Sequence, residues 1–195
     1  RASHGWQLMH ASAVARNGKA IILCGLNKVG KSTLAMFLHQ TQGYELMSDN
    51  FLLVGPQKVY AFPEAVRMSR ESMDHLNLDT DGRPKIYGKY HVNIENNALN
   101  LEAHPKACFL VTRGKELALA KIDASQGWST LEGMHAILGE FPESSYLALL
   151  PFVDAVRFGR HPGPTVLSRD TNWHHLSFPL DWNIKKVIEA VQNCI

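Results

Sequence analysis

The sequence predicts an α/β fold in which a mixed sheet carries a loop between a buried strand and a helix. The apolar run 20–24 has the composition of a buried strand. Residues 32–40 place apolar side chains at helical spacing, with no glycine or proline among them. Asn17-Gly18, just before the strand, favours a type I′ turn. An antiparallel β-hairpin is therefore expected to lead into the loop.

Length and composition favour one globular domain over residues 1–195. The chain has 195 residues, of which 45% are hydrophobic and 19% charged, and its formal net charge is +2. Such a charge gives no basic footprint for nucleic acid, and the apolar runs are far shorter than the ~18 residues of a membrane span. We therefore expect neither nucleic acid nor a membrane as a partner, and a homo-oligomer stays open.

The cysteines predict a reducing environment. Cys24, Cys108 and Cys194 are widely spaced and match no metal-binding or redox pattern. An odd number of isolated cysteines favours free thiols. We expect a cytoplasmic protein without a secretory leader.

The first third of the chain carries clear turn signals between short apolar runs. The helix after the loop is expected to end near Gly43, which suits a left-handed C′ position. Gly55-Pro56 indicates a second hairpin. Short strands are predicted over residues 7–14, 19–24, 44–47, 51–54 and 58–61.

The remainder of the chain is less regular. A short helix is expected within residues 64–78, then a turn over 79–84 and a weak strand signal over 87–94. Residues 106–112 and 116–122 predict two strands of an antiparallel pair around Arg113-Gly114-Lys115. Further helices are predicted over 128–138, 144–150 and 182–191.

The loop has the pattern G-x-x-x-x-G-K-S, from Gly25 to Ser32. Its glycines let the backbone approach a phosphate, and the loop N–H groups with the helix N-terminus supply positive potential. Lys31 would reach the outer phosphates and the Ser32 hydroxyl would bind Mg²⁺. The alternative is a chance glycine-rich turn. The pattern predicts ATP and Mg²⁺ as cofactors, bound through Gly25, Asn27, Lys28, Val29, Gly30, Lys31, Ser32 and Thr33.

Phosphoryl transfer also needs a carboxylate that holds the metal or takes a proton. Asp49 follows the strand after the loop helix, where ligands bind in open α/β sheets, so it is the candidate base and metal ligand. The alternative is that it caps a local turn with Ser48. His10 lies on the hairpin strand beside the loop strand and could relay a proton. A structural histidine is the alternative reading there.

Residues 8–54 resemble HPr kinase/phosphorylase and its related kinases. The resemblance lies in LMHASAV at 8–14, NGKA at 17–20, GLNKVGKST at 25–33 and GYELMSDN at 43–50. It implies a phosphoenolpyruvate carboxykinase-like phosphate-binding domain that phosphorylates a serine hydroxyl, with His10 and Asp49 in the catalytic positions. Asn50 stands where the family has a second aspartate, which removes one negative charge at the metal.

Other polar side chains are weaker candidates. Adjacent His174 and His175 would face opposite sides of a strand, so they cannot easily share a metal. Three aromatic side chains suit the core or an interface: Trp173, Phe178 and Trp182. Four cations could clamp a transferred phosphate, although each alone suits solvated surface: Arg67, Arg70, Lys85 and Lys89.

The leading hypothesis is therefore an ATP- and Mg²⁺-dependent kinase. Its acceptor would be the hydroxyl of a protein, a peptide or a small molecule. Two alternatives stay open, a nucleotide-binding regulatory or scaffold module with weak or no catalysis, and simple nucleotide hydrolysis.

Overall fold

The structure is a computed structural model that describes residues 7–55, 57–62, 64–95, 98–137, 167 and 171–195. The first part of the described chain holds an antiparallel hairpin, the loop helix and four short strands. Its elements are β1 (Gln7–Arg16), β2 (Lys19–Cys24), α1 (Lys31–Gln42), β3 (Glu45–Ser48), β4 (Phe51–Val54), β5 (Val59–Ala61) and β6 (Val66–Met68).

The second part adds a short helix, a small hairpin, three longer strands and two helices. Its elements are α2 (Arg70–His75), β7 (Lys85–Ile86), β8 (Lys89–Val92), β9 (Glu102–Arg113), β10 (Ala118–Ile122), α3 (Ala124–Ile137), β11 (Asn172–Phe178) and α4 (Ile184–Gln192). The fold is mixed α/β.

The main sheet has eight strands in the order β10-β11-β9-β2-β1-β4-β5, and β3 pairs with β1 off this path. β2, β9 and β11 run parallel to one another, and the other pairings are antiparallel. The start of β9 also pairs with β5, so five strands form a closed circuit. A separate three-stranded sheet has the order β6-β8-β7.

Alternation along the central strands produces two cores. Ile21 and Leu23 of β2 pack with α1, α4 and the inner face of the small sheet. Ala20 and Ile22, one position out of phase, belong to the second cluster, which lies under β4, β5 and α3. Because successive strand residues point to opposite faces, β1 and β2 direct alternate side chains into one core and the remaining side chains into the other.

Local signals in the sequence agree with the observed turns. Asn17 and Gly18 have φ of 54° and 70°, the left-handed pair of a type I′ turn, and join β1 to β2. Gly43 ends α1 with φ of 67°, and its N–H donates to the Leu38 carbonyl. The predicted second hairpin is β4 with β5.

The predicted antiparallel pair around Arg113 is wrong. β9 and β10 do not pair with each other, because β11 lies between them. β11 is parallel to β9 and antiparallel to β10. No strand was expected over residues 172–178, whose buried aromatic and histidine side chains hide the period-two alternation of a half-exposed strand.

Smaller differences concern the ends of elements. The stretch 64–78 contains a strand, β6, before its short helix, and the weak signal over 87–94 corresponds to β8 of the β7–β8 hairpin. α3 begins at Ala124 rather than at Trp128. The predicted helix over 144–150 and the last residue of the helix predicted over 128–138 lie outside the described residues. In the described part of the chain, no helix has the length and apolar character needed to cross a membrane.

Candidate functional site

The loop between β2 and α1 depends on unusual backbone angles. Gly25 has φ of 141° and Gly30 has φ of 105°, and Lys28 is left-handed with φ of 63°. A Cβ on Gly25 would collide with the carbonyl oxygen of Val111 on β9, so only glycine fits where the chain leaves the sheet. A Cβ on Gly30 would lie 3.3 Å from the Phe178 ring. The loop is therefore packed against β9 and β11 at its two glycines.

The amide groups of this loop are available to a ligand. Within the described ranges, the N–H groups of residues 28–32 have no hydrogen-bond acceptor. The first hydrogen bond of the helix joins the Leu34 N–H to the Gly30 carbonyl, at 3.0 Å. Donors left without a partner at a helix N-terminus bind anions. The loop is therefore suited to hold an anionic group.

Lys31 is buried beneath the loop with an exposed fraction of 6%. Its Nζ donates to the carbonyls of Gly25 at 3.0 Å and Leu26 at 2.9 Å. Burial lowers the pKa of Lys31 to about 8, against an opposing effect from the negative charge of Asp49. Two carbonyl oxygens thus hold the ammonium group close to the loop, and nearby negative charge does not offset the effect of its burial.

Asp49 is buried, with an exposed fraction of 3%, and both of its carboxylate oxygens are held. The Ser12 hydroxyl of β1 is 3.2 Å from Oδ1 and donates to the Asp49 carbonyl at 2.8 Å. The Arg67 N–H of β6 donates to Oδ2 at 3.3 Å. Ser48 does not join it in a local cap, because its Oγ accepts from the Phe62 N–H. The carboxylate is therefore fixed between the two sheets.

A cleft of about 330 Å³ lies between the loop and the small sheet. Eight of the predicted site residues line it: His10, Asn27, Lys28, Gly30, Lys31, Ser32, Thr33 and Asp49. Gly25 and Val29 do not line it, and Val29 is buried in the core below the loop. The alternation of β1 places His10 on the same face as Ser12, which contacts Asp49.

Thr33 has a structural bond in addition to its place at the cleft. Its hydroxyl donates to Ser72 of α2 at 2.9 Å and the residue is 4% exposed. This bond ties the loop helix to the short helix that follows β6, the first strand of the small sheet. Ser32, whose hydroxyl was predicted to bind metal, is only partly buried and makes no hydrogen bond within the part of the chain described here. Its oxygen is thus open to a ligand.

A second carboxylate, that of Glu64, lies close to Asp49, although the residue next to Asp49 in the sequence is an asparagine, Asn50. Burial raises the pKa of Glu64, and the neighbouring Asn50 amide and Arg67 charge oppose this rise. Arg67 is 3.8 Å from Glu64. The Asn50 Nδ2 and Glu64 Oε1 atoms are both buried, and within the described ranges neither has a hydrogen-bond partner. The two side chains therefore lie near each other without forming a hydrogen bond through these atoms. The sequence offered one signal for Glu64, an acidic residue between apolar ones.

Arg113 is another residue that sequence analysis missed as a site residue. Its guanidinium lies 5.1 Å from the centroid of the Phe178 ring and 5.9 Å from that of Trp182. It donates to the Pro179 carbonyl at 3.0 Å and to the Lys28 carbonyl of the loop at 3.3 Å. Burial lowers its pKa. A basic residue at the carboxyl end of a buried strand was the available signal.

The four candidate clamp cations separate into two pairs. Arg67 and Lys89 line the cleft. Arg70 is exposed and pairs with Asp74 at 3.1 Å, and the Lys85 ammonium lies 5.3 Å from the centroid of the Tyr90 ring. Only the first pair faces the loop.

The histidine and tryptophan residues near the C-terminus belong to the packing. His174 is buried and stacks on Phe109 at 5.1 Å, whereas the Nε2 atom of His175 is 2.8 Å from Thr112 Oγ1. Trp173 is buried and donates to the Leu167 carbonyl. The described residues contain no group of three or more His, Cys, Asp or Glu side chains suited to hold a metal ion. The three cysteines are free thiols.

The chain shows a distant likeness to a known enzyme structure. It is similar to the HPr(Ser) kinase/phosphatase from Coxiella burnetii, with a TM-score of 0.48 and 13% identity over 96% of this chain and 95% of that chain. No protein-family model matches the chain, and no curated protein matches it.

Proposed function

We propose that the chain is a phosphotransferase that moves the γ-phosphate of ATP to a hydroxyl group. One observation carries this proposal. The fixed, buried carboxylate of Asp49 lies in the same cleft as Lys31 and the unpaired loop amides. A cradle for phosphates alone needs no buried carboxylate, but phosphoryl transfer to a hydroxyl does.

The chemistry divides among residues of this cleft. Loop amides and Lys31 hold the β- and γ-phosphates, and the acceptor hydroxyl lies against Asp49. A bond forms between the acceptor oxygen and the γ-phosphorus while the bond from that phosphorus to the β–γ bridging oxygen breaks. The hydroxyl proton passes to an Asp49 oxygen, and ADP leaves. His10, on the same face of β1 as Ser12, is the positioning or relay residue for that proton.

The donor set also suits Mg²⁺, which prefers oxygen ligands and keeps several waters. The Ser32 hydroxyl and the Asp49 carboxylate would hold it, and the ion would neutralise charge on the transferred phosphate. Glu64 is close enough to Asp49 for the two carboxylates to interact, and it would be the second carboxylate near the metal, since residue 50 is an asparagine. We expect Glu64→Gln to raise the Mg²⁺ concentration needed for half-maximal turnover.

Two substitutions test the proposal. Lys31→Ala should abolish calorimetric binding of MgATP, because the loop loses the buried ammonium group beneath it. Asp49→Asn should keep ATP affinity within a few fold while transfer of γ-labelled phosphate falls by about 10² to 10⁴. The asparagine NH₂ would face one of the two donors that now bind the carboxylate. A melting curve must therefore accompany the kinetics. Full transfer activity in a folded Asp49→Asn protein would contradict the role of Asp49.

A second candidate is a nucleotide-binding regulatory or scaffold module. Asn50 favours this function, because an amide at position 50 leaves Asp49 as the one carboxylate of the two adjacent residues that could bind the metal. Turnover separates the two functions. A module would bind MgATP with the same loop but release no more ADP than the Lys31→Ala protein.

A further inference from the structure

The small sheet has one apolar and one polar face. In its register Arg67 lies opposite His91, two residues from Lys89 on the same strand, β8. Side chains two apart on a strand share a face. Arg67, Lys89 and His91 therefore lie on one face. The alternate residues Val66 and Val92 are buried in the core on the other face.

The polar face forms the wall of the cleft opposite the loop. Arg67 and Lys89 line the same cleft as Lys31. Burial is the main reason for the lowered pKa of Lys31, and the positive charge of Lys89 lowers it further. The Lys89 ammonium is thus near enough to Lys31 for the two positive charges to interact across the cleft.

Positive charge on this wall exceeds what nearby carboxylates neutralise. Among the residues that the structure describes, no carboxylate lies within 4 Å of the Lys89 ammonium, and the contact of Arg67 with Glu64 is long, at 3.8 Å. The wall and the loop together bring five cations to the cleft against Asp49 and Glu71. Those cations are Lys28, Lys31, Arg67, Lys89 and Arg113.

The nucleotide accounts for the loop cations but not for the opposite wall. Lys31 and Lys28 lie at the loop, and Arg113 is bonded to a loop carbonyl. Arg67 and Lys89 come from a different sheet. A planar guanidinium and a mobile ammonium on neighbouring strands form a pair suited to a carboxylate or phosphate group.

We propose that Arg67 and Lys89 bind an anionic group, a carboxylate or a phosphate, carried by the molecule that bears the accepting hydroxyl. The acceptor is then a hydroxy acid, a phosphorylated alcohol or a peptide segment with an acid beside its hydroxyl residue. This inference rests on the proposed function, because the nucleotide must occupy the loop on the facing wall.

Inorganic phosphate can probe the wall once the loop is filled. The protein is first saturated with Mg²⁺ and the non-hydrolysable ATP analogue adenylyl imidodiphosphate, and phosphate is then titrated by calorimetry. We expect wild-type protein to bind phosphate. Lys89→Gln and Arg67→Gln should each weaken it about tenfold or more, since each removes one charge-assisted hydrogen bond.

Lys85→Gln is the matched control. It removes the same charge from the same hairpin, but Lys85 lies against the Tyr90 ring and does not line the cleft. Phosphate affinity should therefore stay at its wild-type value in Lys85→Gln. Lys89→Arg should restore most of the affinity lost in Lys89→Gln. Equal affinity in wild type, Lys89→Gln and Arg67→Gln would overturn the assignment.

Three alcohols then separate the chemical classes of acceptor. Glycerate and glycerol share a carbon chain and differ in one carboxylate, and glycerol 3-phosphate carries a phosphate instead. With MgATP, either anionic compound should stimulate ADP release more than glycerol, and Lys89→Gln should remove the difference. Stimulation by glycerol alone would overturn the inference while leaving the proposed function intact. Failure of the ATP analogue to bind would overturn the proposed function itself, and this inference with it.

Discussion

Raising the pH from 7 to 9 should weaken nucleotide binding through one residue, Lys31. Burial has lowered the pKa of Lys31 to about 8 in the free protein. Two phosphate groups against its ammonium would raise that pKa again in the complex, because a nearby opposite charge favours the charged form. Binding above pH 8 must therefore take up a proton.

The size of the effect follows from the free and bound pKa values. Below about pH 8 the lysine is already protonated, and affinity is at its full value. Above that pH, Kd rises tenfold for each pH unit until the pKa of the complex is reached. The Kd at pH 9 should thus be about tenfold higher than at pH 7, a loss of about 1.4 kcal/mol.

Calorimetry in two buffers of different ionisation enthalpy measures both the affinity and the proton uptake. Uptake should be close to zero at pH 7 and close to one proton at pH 9. Lys31→Arg is the control, because a guanidinium stays charged over this range, so its Kd should hardly change. A wild-type Kd that is constant from pH 7 to 9, without proton uptake, would refute the reasoning.

Three further predictions concern the metal, the carboxylate and the packing. Asn50→Asp should lower the Mg²⁺ concentration for half-maximal activity, because it adds an anion near the cation; an unchanged metal requirement would place residue 50 outside the metal site. Ser12→Ala removes a donor to Asp49, so we expect slower transfer at unchanged ATP affinity and a loss of about 1 kcal/mol in unfolding free energy. Gly127→Ala should cost about 1 to 3 kcal/mol, since its Cβ would strike a buried tryptophan ring, whereas Gly133→Ala on the exposed side of the same helix should gain about 0.8 to 1 kcal/mol. Equal melting temperatures for the two alanine variants would contradict the packing argument.

The elements predicted best from the sequence are those specified by neighbouring residues. The turn at Asn17-Gly18, the loop from Gly25 and the stop at Gly43 each need a backbone conformation that only a few residue types adopt easily. Such signals are complete within a few positions. The hairpin, the loop and the helix that follows the loop could therefore be predicted in order from the sequence.

Strand partners carry no comparable signal. Apolar runs at 106–112 and 116–122 are close in sequence, which favours a hairpin, yet their common neighbour comes from residues 172–178. Nothing in the periodicity of β9 specifies that it pairs with β2 and β11 on both sides. Strand order is decided by packing between residues that are far apart in the chain, so no short stretch of a single sequence specifies it.

The same limit applies to the candidate site. The sequence marks Asp49 as a carboxylate at the end of a strand, but its anchors come from Ser12 and from the main chain of Arg67. Every residue except proline has a backbone N–H, so the amino-acid sequence does not indicate which N–H will bind the carboxylate. Arg113 likewise reaches the cleft, and Glu64 comes close to Asp49, through strand order rather than through spacing.

The support of Gly25 against Val111 has a consequence for how the protein is made. β2, which leads into the loop, needs β9 as its parallel neighbour, and more than eighty residues of chain separate Cys24 from Leu110, its partner in the register. During synthesis the loop therefore leaves the ribosome long before β9, the strand on which it packs, has been made. We expect nascent chains that stop before β9 not to bind nucleotide, which chain-length-stalled translation followed by crosslinking to labelled ATP would reveal. The loop, although encoded early, is thus expected to be among the later parts of the chain to reach its folded conformation.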